Sequence, residues 1–173
     1  MAVIDAYVNT DAAAGKKVAP GNMAPGQIWG FAMTFEVAAA DAVNSVYRVA
    51  NLNSNLIPYE LAVMGDDSLD ITTFDIGLYL PGAGGAAVDS DCFSTALAVD
   101  GNGIDSADLA PNALEALPID DIGKKLWEIA SVKAANTTYS AAYHPQSFDL
   151  ALTALSEPGA AATVSVRGLF IQG

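Results

Sequence analysis

The chain is 173 residues long, 52% hydrophobic and 16% charged, which supports one domain with a sizeable core and excludes disorder over most of its length. Its 20 acids against 7 bases leave a net charge of −13, which repels nucleic-acid phosphates and anionic lipid headgroups and excludes both as partners. The lone Cys92 excludes an internal disulfide, and with no signal-like N-terminus and no apolar run of about 18 residues, a soluble chain routed by no visible signal is expected.

Residues 2 to 8, "AVIDAYV", are a candidate strand at the head of a segment that then loses all periodicity. Residues 9 to 26, "NTDAAAGKKVAPGNMAPG", mix alanine, glycine, proline and short polar residues, the composition of an extended arm. The expected division is therefore an arm over residues 1–26 and a compact body over 27–173.

Within the body the dominant period is two. In "IWGFAMTFEV", Trp29, Phe31, Met33, Phe35 and Val37 share one side while Gly30, Ala32, Thr34 and Glu36 share the other, the pattern of a strand with one heavy apolar face. "SVYRVANL" reads as a second strand from its valines, its tyrosine and its turn-rich flanks. "IPYELAVM" is a third, with Pro58 marking an edge or a strand beginning because it lacks a ladder donor. Phe74, Ile76, Leu78 and Leu80 alternate with Thr73, Asp75, Gly77 and Tyr79 in a fourth, and "FDLALTAL" and "TVSVRGLFI" supply two more.

Helical signals are sparse. Asp91 to Leu97 reads as one turn capped by Ser90 or Asp91, and Asp121 as the cap of a short helix through Lys125 to Ile129. Residues 98 to 124, with Gly101, Gly103, Pro111 and Pro118, form the longest stretch without strand character and are expected over one end of the body. The prediction is an all-β protein: an antiparallel, jelly-roll-like β-sandwich with an extended N-terminal arm and one or two short helices.

No catalytic, cofactor or metal residue is assigned. "PGAGG" at residues 81 to 85 follows a strand and supplies the positive-φ residues of a tight reversal, but neither the lysine and hydroxyl of a phosphate-binding loop nor the long helix of a dinucleotide fingerprint follows it. "DGNGIDSAD" carries hard oxygens at Asp100, Asn102, Asp105 and Asp108, yet Ile104, Asp105 and Pro111 fall where an EF-hand needs an oxygen, a glycine and a glutamate; a solvated acidic turn is the leading reading and an irregular calcium site the alternative. His144 is the sole histidine, which excludes a multi-histidine metal site in one chain and reads as a surface-loop residue. The carboxylate pairs Asp66-Asp67, Asp89-Asp91 and Asp120-Asp121 sit in turn-like segments, Cys92 reads as a small buried residue, and Trp29, Phe31, Phe35 and Trp127 read as packing before sugar stacking.

The ordered set Tyr47-Arg48-Val49-Ala50, Asn53-Ser54-Asn55, Asp75-Ile76-Gly77-Leu78-Tyr79, Val88-Asp89-Ser90-Asp91 and Leu126-Trp127-Glu128 resembles capsid cement or decoration proteins of tailed bacteriophages over about residues 27 to 171. The resemblance implies a jelly-roll virion protein, made in the host cytoplasm and added in many copies to the outer surface of the head. Its implied partners are the major capsid protein and copies of itself, as dimers or trimers, with no cofactor and no catalysis. Val3, Ile4, Tyr7, Lys16 and Lys17 in the arm are the candidate partner contacts, with "AVIDAYV" suited to adding to a sheet edge. The alternative is a carbohydrate-binding jelly-roll module of a viral fibre or tail; an enzyme ranks third.

Overall fold

A computed structural model of the chain describes residues 3–5, 27–66, 73–99, 109–110, 114, 116–133 and 139–173. The strands are β1 (Val3–Asp5), β2 (Ile28–Val37), β3 (Val46–Asn53), β4 (Leu56–Gly65), β5 (Thr73–Tyr79), β6 (Ala87–Ala98), β7 (Leu109–Ala110), β8 (Ser147–Ala154) and β9 (Ala162–Gln172). One helix, α1 (Leu126–Lys133), follows a 3-10 turn at Ile119–Asp121.

The strands form a five-stranded sheet in the order β1-β3-β8-β5-β6 and a four-stranded sheet in the order β2-β9-β4-β7. Their pairing is nested: β5 with β6, β4 with β7, β3 with β8 and β2 with β9, all antiparallel. The chain from β2 to β9 is thus one long hairpin, rolled until β4 also meets β9 and β5 also meets β8. That winding is a jelly roll, and the expected all-β sandwich is the observed fold. β1 departs from the antiparallel rule and lies parallel along β3, with Val3 beside Val46 and Asp5 beside Arg48.

Alternation explains why each strand lies flat on the core. On β9, Val164, Val166 and Phe170 are buried while Arg167 is exposed, and on β2 Phe35 and Val37 are buried while Thr34 and Glu36 face solvent. β8 is buried on both sides apart from its first residue; Phe148, Leu150 and Leu152 fill the inside, and the small or polar Asp149, Ala151 and Thr153 fit under a covering turn on the outside. Pro58 is tolerated inside β4 because the register with β9 shifts between Pro58 and Glu60, a bulge of the kind that accommodates a missing donor.

Three expectations need correction. Residues 91 to 97 belong to the strand β6 and not to a helical turn. The polar spacing there serves local bonds within an irregular strand, Thr95 Oγ1 to Asp91 at 3.2 Å and the Ala96 amide to Asp75 at 2.9 Å, with Ala96 at φ 50. Asp121 does not cap α1; Glu128 reaches back to the Lys125 amide at 2.7 Å as in a capping box, while the buried Asp121 carboxylate accepts from Lys124 Nζ. Finally, the 98 to 124 segment contributes β7 to the edge of β4, and its Leu117 enters the core.

Tyr47 joins the core to the loop before it. Its ring stacks on Phe35 at 5.2 Å and meets Phe74 edge-on, and its hydroxyl donates to Asp41 at 2.8 Å. Burial first, then the Asp41 carboxylate, pushes the phenol well above its ordinary range. A raised phenol stabilises the fold fully below the unfolded value near pH 10 and less as pH rises toward the folded one. Melting temperature is therefore expected to fall above about pH 10, and Tyr47→Phe, costing about 1 kcal/mol at neutral pH, to show a shallower alkaline fall; equal slopes for the two proteins would contradict this origin.

Candidate docking surface

The glycine-rich segment is a turn with a specific anchor. Gly82 and Gly84 take φ of 95 and 82, the Gly85 amide closes on the Gly82 carbonyl at 2.9 Å, and the Leu80 amide bonds the Ala86 carbonyl. Arg48, projecting from the outer face of β3, lies beneath it. Its guanidinium donates to the Leu80 carbonyl at 2.9 Å, the Gly85 carbonyl at 2.8 Å and the Asp149 carboxylate at 2.6 Å. Asp149 also accepts from Asn51 at 2.7 Å and from the Gly82 amide at 3.1 Å, and both charged side chains are fully buried.

A cavity of about 390 Å³ adjoins this turn, lined by Asn44, Val46, Asp75, Tyr79, Ser90 and Thr153 among others. Tyr79, Thr153 and Asp75 in its lining are bonded within the fold. Tyr79 bonds Thr153 at 2.7 Å beneath the Arg48 guanidinium, 5.4 Å from the ring, and Asp75 accepts the Ala96 amide. Burial pushes the Tyr79 phenol up, against the opposing Thr153 bond and Arg48 charge. The arrangement holds a turn on a sheet; it places no nucleophile beside a base.

The outer face of the four-stranded sheet differs in character. Register places Ile28, Gly30, Ala32, Thr34 and Glu36 of β2 beside Ile171, Leu169, Arg167, Ser165 and Thr163 of β9, and these beside Ile57, Glu60, Ala62 and Met64 of β4. Small residues in the middle make the face flat, with an aliphatic end at Ile28, Ile57, Leu169 and Ile171. Two shallow grooves of about 460 and 390 Å³ run on either side of Arg167, which pairs with Glu60 at 3.0 Å. Among these three strands, Glu36, Glu60 and Arg167 are the face's only charges, so an acidic chain presents here a nearly neutral surface.

Strand spacing makes the face about 30 by 15 Å, or roughly 450 Å². A standard stable interface buries about 800 Å² per partner, so docking through this face requires a second contact or many copies.

The sequence-singled residues divide as follows. The backbone of Val3 and Ile4 lies in β1 beside β3; Tyr7, Lys16, Lys17 and the Asp100 to Asp108 segment lie outside the described residues. Cys92 is buried. Asp66 bonds the Thr163 amide at 2.8 Å, and Asp89 the Asp91 amide at 3.2 Å, so both serve the backbone. His144 is half-buried, stacked on Trp127 at 5.2 Å and bonded to Ser54 at 3.1 Å. Trp29 and Phe31 point inward, in contact with Phe170, and build no outward aromatic platform. Among the described residues, no three acidic, histidine or cysteine side chains gather to hold a metal, and no helix is long and apolar enough to cross a membrane.

No family model matches the chain, and no curated protein matches its sequence. Solved structures of phage capsids are similar to it. One is a chain from the capsid of Ralstonia phage GP4, with a TM-score of 0.62, 15% identity and 99% of both chains covered. Another is a chain from the capsid asymmetric unit of cyanophage Pam1, with a TM-score of 0.46, 14% identity, and 96% of this chain and 100% of that one covered. At 15% identity and a TM-score of 0.62, the likeness to the Ralstonia phage GP4 chain establishes the fold alone.

Proposed function

We propose that this chain is a virion structural protein of a tailed bacteriophage, a cement protein that docks on the outer surface of the head and stabilises contacts between major capsid subunits. The observation that carries the reading is the end-to-end match of its jelly roll to a chain of a phage capsid, with 99% of each covered. The flat, nearly neutral outer sheet face supports it.

The physical role is mechanical. Packaged DNA loads the joints between coat subunits, and a rigid sandwich spanning a joint adds contact area that must be lost before the joint opens. Because one face falls short of a standard interface, the N-terminal arm supplies the second contact: Val3 and Ile4 lie in β1 on the chain's own β3 and anchor the arm, and Tyr7, Lys16 and Lys17 reach a neighbouring subunit. The two lysines add positive charge in a chain otherwise dominated by acids.

The test is add-back to particles lacking the protein. The full chain is expected to bind and raise the temperature of DNA release, whereas a chain without residues 1–24 keeps its fold by circular dichroism and binds at least about tenfold more weakly. No binding by the full chain would overturn the cement reading; unchanged binding by the shortened chain would overturn only the role of the arm.

A further inference from the structure

Four strands close the edges of the two sheets, and three of them are blunted. Among the described residues β1 spans three residues and β7 two; β6 is longer, but its register with β5 shifts three times. Short strands and bulges are the devices that prevent edge-to-edge pairing. β2 has none of them. It runs ten residues in unbroken register with β9, contains no proline, lysine or arginine, and carries one charge, Glu36, near its end. Among the described residues no strand pairs with its outer side.

The side chains beneath that edge are also unfinished. Trp29, Phe31 and Met33 face inward yet are only half-buried, whereas Phe35 and Val37 farther along the same strand are buried. Trp29 and Phe31 lie 5.8 Å apart, a ready apolar shelf at the open side of the sandwich.

We infer that β2 is a self-association edge, pairing antiparallel with β2 of a second copy about a two-fold axis at Phe31. The alternation of faces requires the axis to pass through a residue, since directly opposed residues must share a side of the sheet. Centring on Phe31 opposes Trp29 to Met33 of the second copy and Phe31 to itself, so the three half-buried side chains complete one another. On the outer side Ile28 meets Thr34 and Gly30 meets Ala32, while Glu36 falls beyond the paired segment, so no like charges are opposed. For a chain of net charge −13 the near-neutral edge is where a second copy approaches with least repulsion. The contact is isologous and closes at two copies. It deepens the self-association that the resemblance to cement proteins implies and does not depend on attachment to a head.

The test uses cysteine pairs and sedimentation on the full chain. Opposed residues in an antiparallel pair have Cα atoms about 4.5–5.5 Å apart, within disulfide range, whereas Ile28 and Thr34 of one strand are about 20 Å apart and cannot join. The double variant Ile28→Cys, Thr34→Cys is expected to oxidise to a covalent dimer, and each single variant to yield none. Phe31→Lys, placing two ammonium groups at the axis, is expected to raise the dimer dissociation constant by about tenfold or more while circular dichroism stays unchanged. A wild-type chain that sediments as a monomer through the high micromolar range, a trimer, or a dimer that survives Phe31→Lys would each overturn the inference. A monomer that still binds particles would leave the cement reading standing and reassign this edge to a coat strand.

Discussion

Arg48→Met is expected to destabilise the protein by about 3–5 kcal/mol, the cost of leaving a buried carboxylate without its cation. Arg48 and Asp149 are both fully buried at 2.6 Å, and the same guanidinium also satisfies the carbonyls of Leu80 and Gly85. Removing it therefore takes a donor from three acceptors, leaves the Asp149 charge without its cation and releases the turn from the outer face of the five-stranded sheet. At this chain length the melting temperature is expected to drop by on the order of 10 °C. Arg48→Met combined with Asp149→Leu is expected to recover part of the loss, because a pair replaced by apolar groups no longer buries an uncompensated charge. Urea unfolding of the wild type, both single variants and the double variant measures the coupling directly. A loss below about 1 kcal/mol for Arg48→Met would show that the pair is not shielded from solvent.

Gly77→Ala is the second large effect, and its cause is steric. β5 and β6 pair at Ile76 with Ser94 and at Leu78 with Asp89, so residues 90 to 93 of β6 loop past the single residue Gly77. That excess chain fits because no side chain stands there. A Cβ at Gly77 would lie 2.1 Å from the Asp89 carbonyl oxygen and 2.4 Å from the Ser90 carbonyl carbon, and both are backbone atoms that cannot swing away. Gly77→Ala is expected to cost about 3 kcal/mol or more, at or beyond the usual overpacking range. Gly82→Ala is the control: its φ is 95 with nothing within 4 Å of the added Cβ, so only the left-handed backbone is strained, at about 1–2 kcal/mol. Thermal melts that rank the two in the opposite order would contradict the close approach of β6 to β5.

These two sites show what periodicity reveals and what it conceals. The strands of the body were legible because alternation reports which face a side chain takes, and each one-sided apolar run, from Trp29 to Val37 or from Phe148 to Leu152, lies on a strand. β6 reads as a helical turn because Ser90 and Asp91 are good cap residues, and sequence does not show that Asp91 instead bonds Thr95 within a bulged strand. The Arg48–Asp149 pair joins residues 101 apart. The clue to it was a charged residue in each of two otherwise apolar strands, "VYRVANL" and "FDLAL", where a charge survives burial only if another strand supplies its counterion. The flat outer face was the least legible feature. Glycine, alanine and serine at alternate positions read simply as the other side of a strand, and only the pairing of β2, β9 and β4 assembles them into one surface.

We propose that this jelly roll docks from its outer faces on the outside of a phage head. Cryo-electron microscopy of purified particles containing the chain tests it most directly. Density for the sandwich is expected at regular positions on the outer surface of the shell, touching more than one coat subunit. Particles that carry no copy of the chain, or carry it only inside the shell or in the tail, would contradict it.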